Sequence, residues 1–139
     1  MPERLAIVAA LAVAVSIVVL VARRWNASRV ARLAGGVPLW EALGETPDGR
    51  RALVAFSTPS CAACHTAQAP AIEVAQQHVG ASGVRVIRVD ASTQPDVARA
   101  FGVMTVPSTV VLEPAGRVLA VNQGFAPSRR LIEQLQQSA

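Results

Sequence analysis

Two kinds of apolar spacing divide the chain. Residues 5–22, LAIVAALAVAVSIVVLVA, run without a charge, and an uninterrupted apolar stretch of this length predicts a membrane-spanning helix rather than the shorter core of a leader peptide. Arg23, Arg24 and Trp25 follow at once, a grouping suited to the bilayer interface, and no small-residue cleavage pattern ends the stretch cleanly. The expected organisation is a retained transmembrane anchor over residues 1–24, a juxtamembrane linker over 25–36 and one globular domain over 37–139. The linker is polar and arginine-bearing, and its pattern fits either a continuation of the helix or a tether ending at Gly35 and Gly36.

Past the linker the apolar runs shorten. Pro38 ahead of Leu39, Trp40 and Leu43 predicts a short helix, and Thr46-Pro47-Asp48-Gly49 reads as a turn. Residues 52–57 are almost continuously apolar, the pattern of a central strand covered on both faces. Helical spacing follows to about Val79, where residues 80–83 close it. Pro70 lies inside that helix and is expected to kink it, because a proline removes one backbone hydrogen bond. Residues 84–90 form a second predicted strand, reached through a helix and therefore expected to run parallel to the first. A helix over 94–101, with Ser92 or Thr93 as its cap, precedes a strand over 108–112. Pro107 stands just before that strand, either as a first-residue proline or in a cis peptide. A hairpin loop at 113–116 leads to a strand over 117–122, and an amphipathic helix over 127–137 ends the pattern.

Charge changes the picture only near the anchor. The formal net charge of +4 is accounted for by Arg23, Arg24, Arg29 and Arg32, while the acids and arginines from residue 37 onward balance. A basic cluster beside an apolar span suits anionic lipid headgroups, and nucleic acid is not an expected partner. The same cluster, set against Arg4 and Glu3 at the other end of the span, puts the domain in the cytoplasm by the positive-inside rule. Membrane-anchored relatives of the family named below that face outward give the alternative placement on the extracytoplasmic side.

The two cysteines, Cys61 and Cys64, lie at the predicted strand-to-helix junction, inside the first helical turn. Unpaired N–H groups and the helix field at such a point stabilise a thiolate relative to the thiol. A cysteine pKa can fall there from roughly 8.5 to between about 3.5 and 7.5. Cys61, at the mouth, is the expected nucleophile, and Cys64, one turn deeper, the group that resolves a mixed disulfide. His65 lies four residues after Cys61, on the same helix face, where an imidazolium favours the thiolate; an exposed residue without a chemical part is its other reading. Cys61-Ala62-Ala63-Cys64-His65 also spells a c-type haem attachment pattern, but haem attachment fits a mostly helical domain better than one with recurring β-branched runs. A structural zinc site lacks ligands, since only His65 and His78 accompany the cysteines. Two inert buried cysteines are a further reading.

Taken in order, the βαβαββα pattern, Cys61-x-x-Cys64, Pro70 in the following helix, Asp90 at a strand end, Phe101-Gly102-Val103 ahead of Val106-Pro107-Ser108, and Gly116 and Gly124 in the last hairpin resemble the thioredoxin family. The resemblance covers about residues 52–137. It implies an α/β thioredoxin-like fold, a central mixed β-sheet flanked by helices, here preceded by one transmembrane helix. It further implies thiol-disulfide oxidoreductase activity with no cofactor beyond the two sulfurs, protein disulfides or dithiols as partners, and Cys61 and Cys64 as attacking and resolving thiols. Pro107 would be cis and face the sulfurs, and the Val106 backbone would pair with an extended substrate. The chain departs from the family pattern at four places. Ser60 stands where tryptophan is usual, Ala62-Ala63 replaces Gly-Pro, Pro70 is one residue further from Cys64, and Ala55 takes the place of a buried aspartate. The alternative function is a binding module of the same fold, holding a soft ion such as copper(I) on the thiolates or docking a partner without turnover.

Overall fold

The structure, a computed structural model, describes residues 1–36 and 39–137. Its elements are α1 (Pro2–Gly36), α2 (Leu39–Leu43), β1 (Arg51–Ser57), a π-helical turn (Cys64–Gln68) leading into α3 (Ala69–Val79), β2 (Val84–Asp90), α4 (Pro95–Ala100), β3 (Ser108–Leu112), β4 (Val118–Gln123) and α5 (Ser128–Gln136). The chain divides into two compact units, Met1–Arg32 and Leu33–Ala139.

In the first unit, Pro2–Trp25 is a helical stretch of 24 residues, apolar enough to cross a membrane. At a rise of about 1.5 Å per residue it reaches about 36 Å, more than the roughly 30 Å of a bilayer's hydrocarbon core. Its large apolar side chains, Leu5, Val8, Leu11, Ile17 and Val21 among them, are all exposed. Ser16 turns its hydroxyl onto the carbonyl of Ala12, at 2.8 Å, so the one polar side chain of the apolar run is satisfied within its own helix. The helical backbone continues to Gly36.

The second unit is built on one sheet of order β2-β1-β3-β4. β1 pairs with β2 in parallel and with β3 antiparallel, and β3 pairs with β4 antiparallel. The sheet is therefore mixed, as expected, and β1 is central and buried from Ala52 to Phe56. Side chains alternate along β1. Leu53 and Ala55 enter a core with Ala71, Ile72 and Ala75 of α3 and Leu131 and Leu135 of α5. Phe56, facing the other way, meets Phe101 at the end of α4 with ring centroids 5.5 Å apart. Trp40 of α2 donates its indole N–H to the Glu113 carbonyl at 3.0 Å, and Arg85 lies 5.8 Å from its ring centre.

Several expectations are corrected in detail. Neither Ser92 nor Thr93 caps α4: the cap residue is Gln94, without a side-chain bond. Asp90 competes successfully for this turn, accepting from the Ser92 N–H at 2.9 Å and from its hydroxyl. Thr93 meanwhile turns back to the Asp90 carbonyl. Pro70 does not interrupt a regular α-helix; it lies in the first turn of α3, where its missing N–H is least costly, just after the π-helical turn. Strand β1 begins at Arg51, β4 runs one residue later than predicted, and α5 is one residue shorter at each end. Pro38 lies outside the described residues, and the short helix starts at Leu39. Gly80 ends α3 at φ 87°, a backbone conformation that glycine adopts without a Cβ clash.

Phe101 is fully buried, so Phe101→Ala should cost about 3–5 kcal/mol by removing both transfer energy and packing partners. Equilibrium urea denaturation of the full chain in detergent micelles measures this. A loss under about 1 kcal/mol would show that the α2 and α4 face does not hold the domain together.

Candidate active site

β1 delivers the chain to its C-terminal end, where Thr58-Pro59-Ser60-Cys61 closes a turn with the Cys61 N–H on the Thr58 carbonyl at 3.1 Å. Proline at the second position of such a turn is pre-set for it. The helical backbone starts at Ala62. Cys61 thus occupies the cap position, and its sulfur accepts the Cys64 N–H at 3.2 Å, the bond an oxygen-bearing cap residue would make. Cys61 and Cys64 are joined in a disulfide, with Cα atoms 5.3 Å apart. Cys61 is partly exposed and Cys64 is 4% exposed, so one sulfur faces the surroundings and the other faces the core.

The sheet register brings Pro107 to the same end. Ser108 pairs with Phe56 on one side and with Gln123 on the other, so the Val106-Pro107 peptide, which is cis, precedes β3 beside the end of β1. Pro107 is buried and Val106 is partly exposed. A cleft of about 300 Å³ adjoins Val106, lined by Pro95 and Ala98 of α4 and by Val103 and Met104 among others. His65 is exposed, with Nε2 3.3 Å from the Pro59 carbonyl, so its ring reaches back over the turn that presents Cys61.

Two glutamines with no signal in the sequence pattern hold this end together. Gln123 accepts the Met104 N–H at 3.2 Å and donates to the Gly102 carbonyl at 2.8 Å, bracing the segment before the cis-proline. Gln68, in the π-helical turn, donates to the Ala126 carbonyl at 3.0 Å and accepts the Ala126 N–H at 2.9 Å. Neither could be found from spacing, because the partners are backbone groups far along the chain. The extra residue between Cys64 and Pro70 was visible. Its outcome is the π-helical turn, in which the Ala69 N–H bonds to the Cys64 carbonyl.

Ala55 is buried at the core end of β1, and no carboxylate stands in its place. Asp90 ends β2, and its carboxyl is held below the usual range by the Ser92 hydroxyl and then the Ser92 N–H. Among the described residues no group of three histidine, cysteine or acidic side chains gathers as a metal site, so a soft ion would have only the two cysteine sulfurs as ligands.

The family model for thioredoxin matches residues 45–137. The chain belongs to the thioredoxin family. A thioredoxin of Bacillus subtilis (strain 168) is 32% identical over 89 residues, covering 64% of this chain and 82% of that protein. Among solved structures, Fasciola hepatica thioredoxin superposes with a TM-score of 0.54 at 22% identity, over 64% of this chain and 81% of its own. A malaria parasite thioredoxin-2, described as a component of protein secretion machinery, superposes with a TM-score of 0.56 at 24% identity, over 63% and 82% of the two chains. At those identities the two structures speak for the fold. Family membership together with the close-spaced cysteine pair makes the chain a thiol-disulfide oxidoreductase. The haem, zinc and inert-cysteine readings of the motif give way to that assignment.

Proposed function

We propose that the chain is a membrane-tethered oxidoreductase that reduces or exchanges protein disulfides, with Cys61 attacking and Cys64 resolving. The observation that carries this order is the difference in exposure between the two cysteines, Cys61 partly exposed and Cys64 buried. In the dithiol form the Cys61 thiolate attacks one sulfur of a substrate disulfide; a Cys61-substrate bond forms and the other substrate sulfur leaves as thiolate, taking up a proton. Cys64, deprotonated, then attacks the Cys61 sulfur, the Cys61–Cys64 bond forms, and the second substrate thiolate leaves. Two electrons pass to the substrate, and a dithiol donor restores the pair.

The Val106 backbone pairs with an extended substrate chain, and Pro107 borders the sulfurs. The cleft beside Val106 supports this reading, since its lining, mainly apolar but including Arg99 and Thr105, offers a place for a neighbouring substrate side chain. The 24-residue apolar helix supports tethering, and the arginines Arg23, Arg24, Arg29 and Arg32 support a cytoplasmic domain. The division into a 1–24 anchor, a 25–36 linker and a 37–139 domain belongs to the same reading.

Full chain in detergent micelles should catalyse insulin disulfide reduction by dithiothreitol. Cys61→Ser should abolish it, and Cys64→Ser should accumulate a mixed disulfide. Activity that survives Cys61→Ser would overturn the assigned order, and the absence of turnover together with stoichiometric copper(I) would favour the binding module.

His65 is read as a modulator of Cys61. An imidazolium near the helix mouth favours the thiolate while it carries its charge. His65→Ala should therefore raise the Cys61 pKa, slowing alkylation near pH 6 and changing little near pH 9, by which the thiolate forms anyway. Identical pH profiles would leave His65 a surface residue.

For orientation, a C-terminal reporter that works only outside the cytoplasm should stay dark. Signal from it would place the domain on the extracytoplasmic face.

A further inference from the structure

Gln68 is 2% exposed, and among the described residues it is the one polar side chain of the cysteine helix sunk into the core. Burying a primary amide is costly unless its donor and acceptor are both met. Here both are met by one residue, Ala126, itself fully buried. β4 ends at Gln123, so Ala126 has no strand neighbour within the sheet. The Gln68 side chain takes that neighbour's place, offering a carbonyl and an N–H as a peptide group would.

The location ties this grip to the redox pair. Cys64 opens the π-helical turn and Gln68 ends it, so one turn of backbone separates the buried sulfur from the amide. Gln123 pairs with Ser108, the residue after Pro107, so residues 124–126 emerge at the end of the sheet that carries the disulfide and Val106. Within that segment Gly124 turns the chain at φ 89°, Ala126 is clamped, and Phe125 between them stays 49% exposed.

We propose that Gln68 is a positioning residue for protein substrates. By fixing residues 124–126 it holds Phe125 against an incoming polypeptide, so it governs the KM for protein disulfides while leaving the sulfur chemistry to the cysteines. This rests on the reading of the chain as a protein disulfide reductase.

The test is steady-state insulin reduction by the full chain in micelles, with Gln68→Leu, Phe125→Ala and the double variant, alongside redox potentials. Each single variant should raise KM about fivefold with kcat within about twofold, and the double variant should fall well short of their product, because both act through one contact. The redox potential of the pair should not move. In Gln68→Glu a protonated carboxyl copies the amide's donor and acceptor, whereas a carboxylate repels the Ala126 carbonyl. The Ala126 amide resonance of Gln68→Glu should therefore match wild type below the carboxyl's pKa and depart from it above.

An unchanged KM in Phe125→Ala, which removes only an exposed ring and should fold, overturns the proposal even where Gln68→Leu does not fold. So does a Gln68→Leu effect on kcat or on potential equal to that on KM. Wild-type chain without disulfide reductase activity would instead remove the functional reading, and this proposal with it, whereas normal activity with these variants silent removes the proposal alone.

Discussion

Ala52 to Phe56 of β1 are withdrawn from water on both faces, so every backbone N–H and C=O there has to find a partner within the sheet. β2 on one edge and β3 on the other provide them. That requirement fixes much else. A parallel neighbour needs a crossover, which the cysteine helix supplies, and the crossover's covered face brings Ala71, Ile72 and Ala75 onto Leu53 and Ala55. An antiparallel neighbour starting at Ser108 brings the cis-proline to the same end of the sheet at which β1 releases Cys61. The site is thus assembled from two loops whose ends are pinned by deeply buried strands, and neither loop has to supply its own core.

What was legible in the sequence follows from this dependence on local pattern. The apolar run of β1, the β-branched runs of β2 and β3, and the glycines at turns each announce themselves within a few residues. Cys61 and Cys64 could be singled out for the same reason, since they stand where a predicted strand gives way to a predicted helix, whereas Val106 and Pro107 were named through the family resemblance. The polar contacts that brace the site could not. Gln68 and Ala126 are 58 residues apart, and a glutamine in a helix looks like any solvated position until the fold closes over it. Asn122 is similar: buried in β4, it donates to Thr109 at 2.9 Å and exchanges two bonds with Gln134 of α5, which a strand pattern alone would assign to an apolar residue. Ser92 was misassigned because two acceptors compete for one turn, and Asp90, with a charged carboxylate, is the stronger.

One cluster of charge lies at the end of the sheet opposite the sulfurs. Arg50 clasps Asp48 through Nη2 at 2.6 Å, and Arg85 bonds to Glu45 and to the Thr46 carbonyl, all beside the starting ends of β1 and β2. The Arg50 side-chain bond, with help from its backbone N–H, holds the Asp48 carboxyl at about 2, below its ordinary 3.8. A depressed carboxyl contributes stability that is present above the ordinary value and is lost as pH falls through the lowered one. The window for this group therefore lies between about 4 and 2, in acid, and the neutral range in which thiols titrate is untouched. These side chains are exposed enough that the contribution is screened and small.

The same separation leaves the two sulfurs with unequal surroundings. Cys61 receives the Cys64 N–H and stands at a helix start, both of which favour its thiolate. Cys64 is buried, and among the described residues no carboxylate is buried; burial in apolar surroundings favours the neutral thiol. A family member that carries an aspartate at the position of Ala55 has a group to take the second proton; in the mechanism proposed for this chain it passes to solvent or to the substrate thiolate that Cys61 has expelled. The departing thiolate is the better placed of the two, because it is generated next to Cys61 at the moment when Cys64 must ionise. In the proposed mechanism attack is eased by the fixed dipoles at the helix mouth, while ionisation of Cys64 depends on the basicity of the sulfur that Cys61 expels. Substrates whose first leaving thiol is more basic take the proton more readily but are expelled by Cys61 less readily, so on this reading the balance between these two demands, rather than an internal carboxylate, sets the pace of the reaction.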